Sequence, residues 1–492
     1  MAKPNGKSQE QQSSLGVVYG RQFEATRQNQ NATPIPREVE FAVLRDGLMV
    51  DLTRSIRQLS NLEFLVWHDG SIHQTSSIEF DGELLTVPKM DPTVVSALRL
   101  ATTARPCPDI AELFMLIENY IKTYVDITNE YSFLVTAFVL TTWFADRISV
   151  APYLSICGPP ESGKTTLMRL LHCLCRRAIH ASAITPTQLY RLAEARPTFL
   201  LDEEDFGQDR ASREMQRLLR GGNRKGPSVL RNGKAFDSFG PKVIASRVPQ
   251  DDAALVSRNI NIIMTPSARD VQFDLDAEEK LADALQPVLQ SFRFLHYARV
   301  SASQNAGFQK FPPRLRDSAR ALAAAMLGNE KLEERLARAL EPQVQSAQFD
   351  RFNEPEWIVM LALYGLYHDA NRTHYVSTVT EETNRIIREN GERRFFTPKK
   401  VGGILNHSLG FHTRRQGQGY KIDLPSIGRK IHSQAEAMGI NRSDILHCAS
   451  VKSGIAGEPC SLCSEFGLMT DHEGRRLQTH DEFLGLEPIP PD

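Results

Sequence analysis

The stretch CGPPESGKTTL (157–167) places Gly158 and Gly163 around a short loop and follows them with Lys164, Thr165 and Thr166. Glycines so spaced let backbone N–H groups close around a β-phosphate, and the helix that follows adds its positive end. Lys164 is placed to reach the β- and γ-phosphates and Thr165 to ligate Mg²⁺, with Thr166 beside it in the nucleotide-binding set. The segment PTFLLDEEDF (197–206) is an apolar run that ends in four acids. Asp202 at its end can hold Mg²⁺ through water, and Glu203 can orient and polarise an attacking water. Glu204 and Asp205 read as solvated or as helix N-terminal. The chemistry these residues imply is Mg-ATP hydrolysis.

A second group lies near the C-terminus, where Cys448 is followed by Cys460-Ser-Leu-Cys463 and later His472. Three thiolates and one imidazole would close a tetrahedron around a structural Zn²⁺. The fourth ligand is open between His447 and His472. His472 is favoured, because adjacent residues seldom share one ion. Cys157, Cys173 and Cys175 read as packing residues.

These side chains need elements to position them. YLSIC (153–157) has a buried-strand pattern and LMRLLHCLC (167–175) a helical one, so the glycine loop sits between strand and helix, as a phosphate loop requires. After the acidic run, REMQRLLRGGNRKG reads as a helix entering a basic loop with Lys225. PSVLRNGKAFDSFG then gives two short strands around Asn232-Gly233, a hairpin carrying Arg231 and Lys234. PKVIASR is a buried strand ending in Ser246, and NINIIM, just after Arg258, is another. No Asn-Lys-x-Asp tetrapeptide is present, which tells against a GTPase.

The run APYLSICGPPESGKTTLMRLL through FLLDEED, LLRGGNRKGPSVLR, FGPKVIAS, LVSRNINIIM and PPRLRDSAR resembles a bacterial domain of unknown function in phage- and plasmid-type primase–helicase proteins. That domain is similar to superfamily 3 helicases within the AAA+ ATPases. The resemblance spans roughly 110–330. It implies a ring-forming ATPase of mobile-element or phage-related character whose hairpin grips DNA in a central pore. It further implies that Ser246 senses the γ-phosphate and that Arg258 reaches a neighbour's ATP as an arginine finger. Arg314, Arg316 and Arg320 become candidates for a second sensor on a helical lid, with Arg320 assigned to the nucleotide. No primase or polymerase motif precedes the ATPase segment, which leaves a stand-alone motor or a switch open.

Composition frames the rest. At 492 residues with a net charge of −1, the chain has no global basic field, so nucleic acid would have to be met by local patches. Seven cysteines, and an N-terminus without an apolar core segment, point to a reducing cytoplasm. The most apolar run, 133–145, is too short to span a bilayer and reads as a buried helix.

The expected fold class is α/β, a P-loop, AAA+-like core with several appendages. The divisions are a disordered tail (1–35), an N-terminal β-containing domain (36–105), the ATPase core with leading helices (106–270) and a helical lid (271–345). A winged-helix-like domain (346–440) and a Cys/His tail (441–492) follow. In the winged helix, Lys399, Lys400 and Asn406 would lie on the recognition helix, Arg414, Arg415 and Lys421 on the wing, and Arg393 and Arg394 ahead of them. Such a module can serve DNA or protein. The functional expectation is an oligomeric, cytoplasmic ATPase moving nucleic acid. The alternative is an ATP-dependent switch in a regulatory or anti-phage defence complex that binds protein partners.

Overall fold

The computed structural model describes residues 17–18 and 36–468 apart from 203–208, 441–459 and several shorter stretches. Glu203, Glu204, Asp205, Arg393, His447, Cys448 and His472 lie outside the described residues. The chain divides into two compact units, Met1–Val344 and Gln345–Asp492. Among the described residues no helix is long and apolar enough to cross a membrane.

The first unit opens with a β layer. Strands β1 (Val17–Val18), β2 (Pro36–Glu38), β3 (Phe41–Val43), β4 (Met49–Arg54), β5 (Leu62–His68), β6 (Ser71–Thr75), β7 (Ser77–Phe80) and β8 (Glu83–Thr86) form two sheets, ordered β1-β3-β4-β5-β6 and β2-β8-β7. Turns at Gly70 and Gly82, both at positive φ, close two of their hairpins. Helix α1 (Pro92–Ala97) leads on to α2 (Ile110–Tyr124) and α3 (Asn129–Thr142), capped by Asp109 and Thr128. From Ser132 to Thr142 every residue of α3 is buried, as befits a helix apolar on nearly all sides.

The central sheet follows. It contains β9 (Tyr153–Cys157), β10 (Ala178–Ala181), β11 (Thr198–Leu201), β14 (Lys242–Ser246) and β15 (Asn259–Ile263), all parallel, in the order β10-β11-β14-β9-β15. Between them run α4 (Lys164–Leu174), α5 (Pro186–Leu192), α6 (Arg210–Gly221), the hairpin β12 (Val229–Arg231) and β13 (Lys234–Phe236), and α7 (Ala253–Val256). Helices α8 (Leu275–His296) and α9 (Pro313–Ala324) complete a bundle with α2, α3 and the first part of α10 (Glu330–Phe352).

Two cores result. One joins the bundle, through Leu140, Leu289, Leu322 and Leu336, to Leu154, Ile156 and Ile262 of the sheet and to Phe41 and Leu65 of the β layer. The other lies across the sheet's second face and joins Ile244, Phe199 and Leu189 to Leu52 and Phe64. This parallel sheet with its helical bundle is a mixed α/β architecture consistent with an AAA+-like core.

The second unit contains α11 (Pro355–Tyr367), β16 (Thr373–Tyr375), α12 (Val376–Glu389), α13 (Pro398–Gly403), β17 (Arg414–Gln416), β18 (Gly419–Asp423), α14 (Leu424–Met438) and α15 (Ser461–Glu465). Its antiparallel sheet is ordered β16-β18-β17. A single π turn over Ile404–Ser408 continues α13, so the helix expected to carry Lys399, Lys400 and Asn406 changes pitch before Asn406. The core is built on α11, buried from Trp357 to Leu366, with Val379, Val401, Leu405 and Ile431 around it.

Candidate functional site

Strand register brings distant parts of the chain to one edge of the central sheet. Ser246 pairs with Cys157 at the C-terminal ends of β14 and β9. Leu201 pairs with Ile244, so Asp202, the next residue, falls level with Ala245 on the far side of β14. With strands about 4.8 Å apart, Asp202 lies roughly 10 Å from the start of the phosphate loop. That is room for a cation and its waters. Asp202 is tied to its own layer by a backbone N–H that donates to Ala181 O at 3.0 Å. Its Oδ2 lies 3.4 Å from His180 Nε2.

The loop is shaped for an anion. Gly163 caps α4 at φ 81, and Glu161 also lies in the left-handed region at φ 63, a backbone arrangement that turns successive N–H groups toward one point. A Cβ on Gly158 would fall 2.5 Å from Met264 O, so only glycine lets β9 pass beneath the residue after β15. Gly158 N donates to Ser246 O at 3.4 Å, which couples the loop to β14. Lys164 Nζ donates to Gly158 O and Pro159 O, both at 2.7 Å, so the ammonium is held over the loop's mouth. Ser162 Oγ is buried and has no hydrogen-bond partner among the described residues. A glycine-lined cradle, an ammonium at its mouth and an orphaned hydroxyl inside it fit a nucleotide's phosphates. Thr165 and Thr166 open α4 directly beyond.

The other expected site residues fall elsewhere. Ser246 is buried at 1 % exposure and its Oγ donates to Val248 O at 2.8 Å. Arg258 precedes β15, whose first residue, Asn259, pairs with Tyr153 at the start of β9. It therefore sits at the opposite edge of the sheet from its own cradle, about 13 Å away along β9 alone. Arg220, paired with Asp252 at 3.3 Å, and Arg314, donating to Ser257 Oγ at 2.5 Å, share that edge. Burial and the neighbouring Arg314 depress the Arg258 guanidinium below its ordinary pKa. Arg320 lies further along α9, its Nε buried with no hydrogen-bond partner among the described residues.

The hairpin β12–β13 pairs Arg231 with Lys234 across Gly233, which takes φ 74. Both side chains are exposed, and Arg231 Nη2 forms a 2.6 Å ion pair with Glu214. Leu230 beside it is 70 % exposed. Lys225 is turned inward, Nζ donating to Asp146 O at 2.7 Å and lying over the Phe239 ring. In the second unit Lys399, Lys400, Arg414 and Arg415 are all exposed, Lys400 Nζ resting 3.9 Å from the Phe396 ring centroid. Asn406 is turned back, its Nδ2 donating to Gly402 O and Thr413 Oγ1.

Cys157, Cys173 and Cys175 are buried, and burial pushes the Cys173 thiol up to about 12, which keeps it inert at neutral pH. Cys460 and Cys463 meet two residues that motif reading passed over. His368, just past α11, and His432, within α14, approach them so that all four donor atoms lie within 4.8 Å of one another. The sequence signal was faint, one histidine per helix at separations no metal motif prescribes.

No known protein-family profile matches the chain, and no curated protein matches it. Solved structures give distant likenesses. The apo C-terminal region of NrS-1 is 10% identical, covering 76% of this chain and 96% of its own, at a TM-score of 0.34. A full-length MCM homolog from Methanopyrus kandleri is 13% identical, covering 63% and 75%, at 0.32. JCV helicase is 14% identical, covering 46% and 72%, at 0.22.

Proposed function

We propose that the chain is an oligomeric ATPase that hydrolyses Mg-ATP to act on nucleic acid. The observation that carries this reading is the position of β14, inserted between the phosphate-loop strand β9 and the acidic strand β11. It sets Ser246 against the loop and leaves Asp202 a cation's distance away. Magnesium, when bound, would neutralise charge on the phosphates. Lys164 and the loop N–H groups would bind and orient them, with Thr165 and Asp202 as the metal's protein partners. Glu203, next to Asp202 in sequence, would take the proton of the attacking water.

Arg258 cannot serve its own cradle from the far edge of the sheet, so a role for it in hydrolysis would require a neighbouring subunit, which supports the oligomeric reading. Nucleic acid would be met by the exposed hairpin pair Arg231 and Lys234. It would also meet the second unit, read as a winged helix, where Arg415 lies opposite the half-exposed Tyr420 on the wing. One observation favours a switch that binds protein partners instead: Arg231 is engaged by Glu214 and Lys225 by a backbone carbonyl, which leaves a thinner basic surface.

ATP turnover measured with and without single- and double-stranded DNA, alongside solution mass with a non-hydrolysable ATP analogue, tests the reading. Expected are a ring-sized mass, turnover raised by DNA, and a loss on the order of 10²-fold in Asp202→Asn. Turnover indifferent to saturating DNA favours the switch. Hydrolysis unaffected by Asp202→Asn removes the proposed site.

A further inference from the structure

The cluster in the second unit has more order than four donors brought near one another by chance. His368 Nε2 lies 3.2 Å from Cys463 Sγ, and His432 Nε2 lies 3.5 Å from Cys460 Sγ. A zinc ion with bonds of 2.0–2.1 Å to nitrogen and 2.3 Å to sulfur has tetrahedron edges of about 3.3–3.8 Å, the scale of these separations. Each imidazole is also held from behind. His368 Nδ1 lies 2.8 Å from Tyr364 O and His432 Nδ1 lies 2.7 Å from Gly428 O. A carbonyl can only accept, so both Nδ1 atoms carry the proton and both Nε2 lone pairs face the sulfurs.

The surroundings agree. Tyr364 Oη lies 3.1 Å from Cys463 Sγ, where it can donate to a thiolate. Gly428 lets α14 press against α11, since a Cβ there would meet Tyr367 Oη at 2.5 Å, and this close approach sets His432 beside His368. His432 and Cys463 are fully buried. Two thiolates, two neutral imidazoles and one divalent cation sum to zero charge, the only ionised form of this set that burial would not penalise.

We propose that His368 Nε2, His432 Nε2, Cys460 Sγ and Cys463 Sγ bind one Zn²⁺ in a closed, structural site. The ion fastens Cys460–Leu468 to α11 and α14 and so seals the core of the second unit, where Leu468 is buried. The ligand set differs from the one that spacing along the chain suggests: the cysteine pair is shared, but the other two ligands come from the C-terminal cap of α11 and from α14 rather than from Cys448 and His472.

The test uses the full chain. Acid-denatured wild type should release one zinc per chain to a colorimetric chelator. Cobalt substitution should give the visible bands of a tetrahedral ion together with thiolate charge-transfer absorption. His368→Ala and His432→Ala should each lower retained zinc at least about tenfold, while Cys448→Ser and His472→Ala keep it stoichiometric. The proposal is overturned by wild type purified with less than about a tenth of an equivalent of zinc after metal-replete growth. It is equally overturned by a Cys460–Cys463 disulfide, or by zinc retained in both histidine variants. If a histidine variant does not fold, the cobalt spectrum of wild type decides: an octahedral ion without thiolate absorption ends the proposal.

Discussion

Lys164 and Arg258 belong to one chain yet stand at opposite edges of the same sheet, one at the end of β9 and the other beside its start. A protein that uses both must place the arginine of one subunit at the lysine of another. Arg258→Ala should therefore cost on the order of 10³-fold in turnover, and so should Lys164→Ala. Mixed in equal amounts and reassembled, the two inactive proteins should recover roughly a quarter of wild-type turnover, because one interface in four pairs an intact lysine with an intact arginine. A mixture as silent as its components would place Arg258 outside the chemistry. Residues of this kind were readable in the chain to different degrees. Lys164 and Thr165 stand out as candidates because the glycine-rich loop is local, its spacing written in eight consecutive positions. His368 and His432 do not, since only the packing of α11 on α14 makes them neighbours, 64 residues apart in sequence.

Among the elements, the hairpin β12–β13 was legible from Asn232-Gly233 between two short β-prone runs, and its register pairs Arg231 with Lys234. What no local pattern reveals is strand order. β14 follows β11 in the chain but lies between β11 and β9 in the sheet, a choice made by right-handed crossovers and by burial on both faces. The partners of the hairpin's charges were equally hidden, as Glu214 reaches Arg231 from α6 across 17 residues. If the hairpin contacts phosphates, Arg231→Ala with Lys234→Ala should weaken binding to all DNA sequences alike. It should also lower the slope of log affinity against log salt by about 2. An unchanged slope would show that the load is gripped elsewhere.

At the scale of the molecule, the N-terminal β layer was expected as a small module of its own, and its strands are there, but its attachment was unreadable. Asp51, on β4, is 1 % exposed and accepts from Arg176 and Arg177, which follow α4, and from Arg293 of α8. Arg293 also pairs with Asp146 at 2.6 Å, and Arg177 with Glu40 at 2.8 Å. Despite burial, these guanidiniums hold the Asp51 and Asp146 carboxyls well below the ordinary value of 3.8.

Removing one partner strands buried charge, so Asp51→Asn should lower the unfolding free energy by about 3–5 kcal/mol in denaturant melts. A change within experimental scatter would show that the arginines find other partners. Because the folded pKa values are depressed, the unfolded chain takes up protons first. The stability these carboxylates give is whole above pH 4 or so and falls away as pH drops further. In Asp51→Asn that acid loss should be shallower.

The same network sets a limit on how this chain could be cut and recombined. A central sheet and bundle cut away from the β layer would carry Arg176, Arg177 and Arg293 into the open without Asp51 or Glu40 to answer them. The layer is thus no ornament that can be exchanged for another module while the central sheet is kept. The two are one folding part, and a truncation that keeps the central sheet should stay soluble only if it keeps the β layer with it.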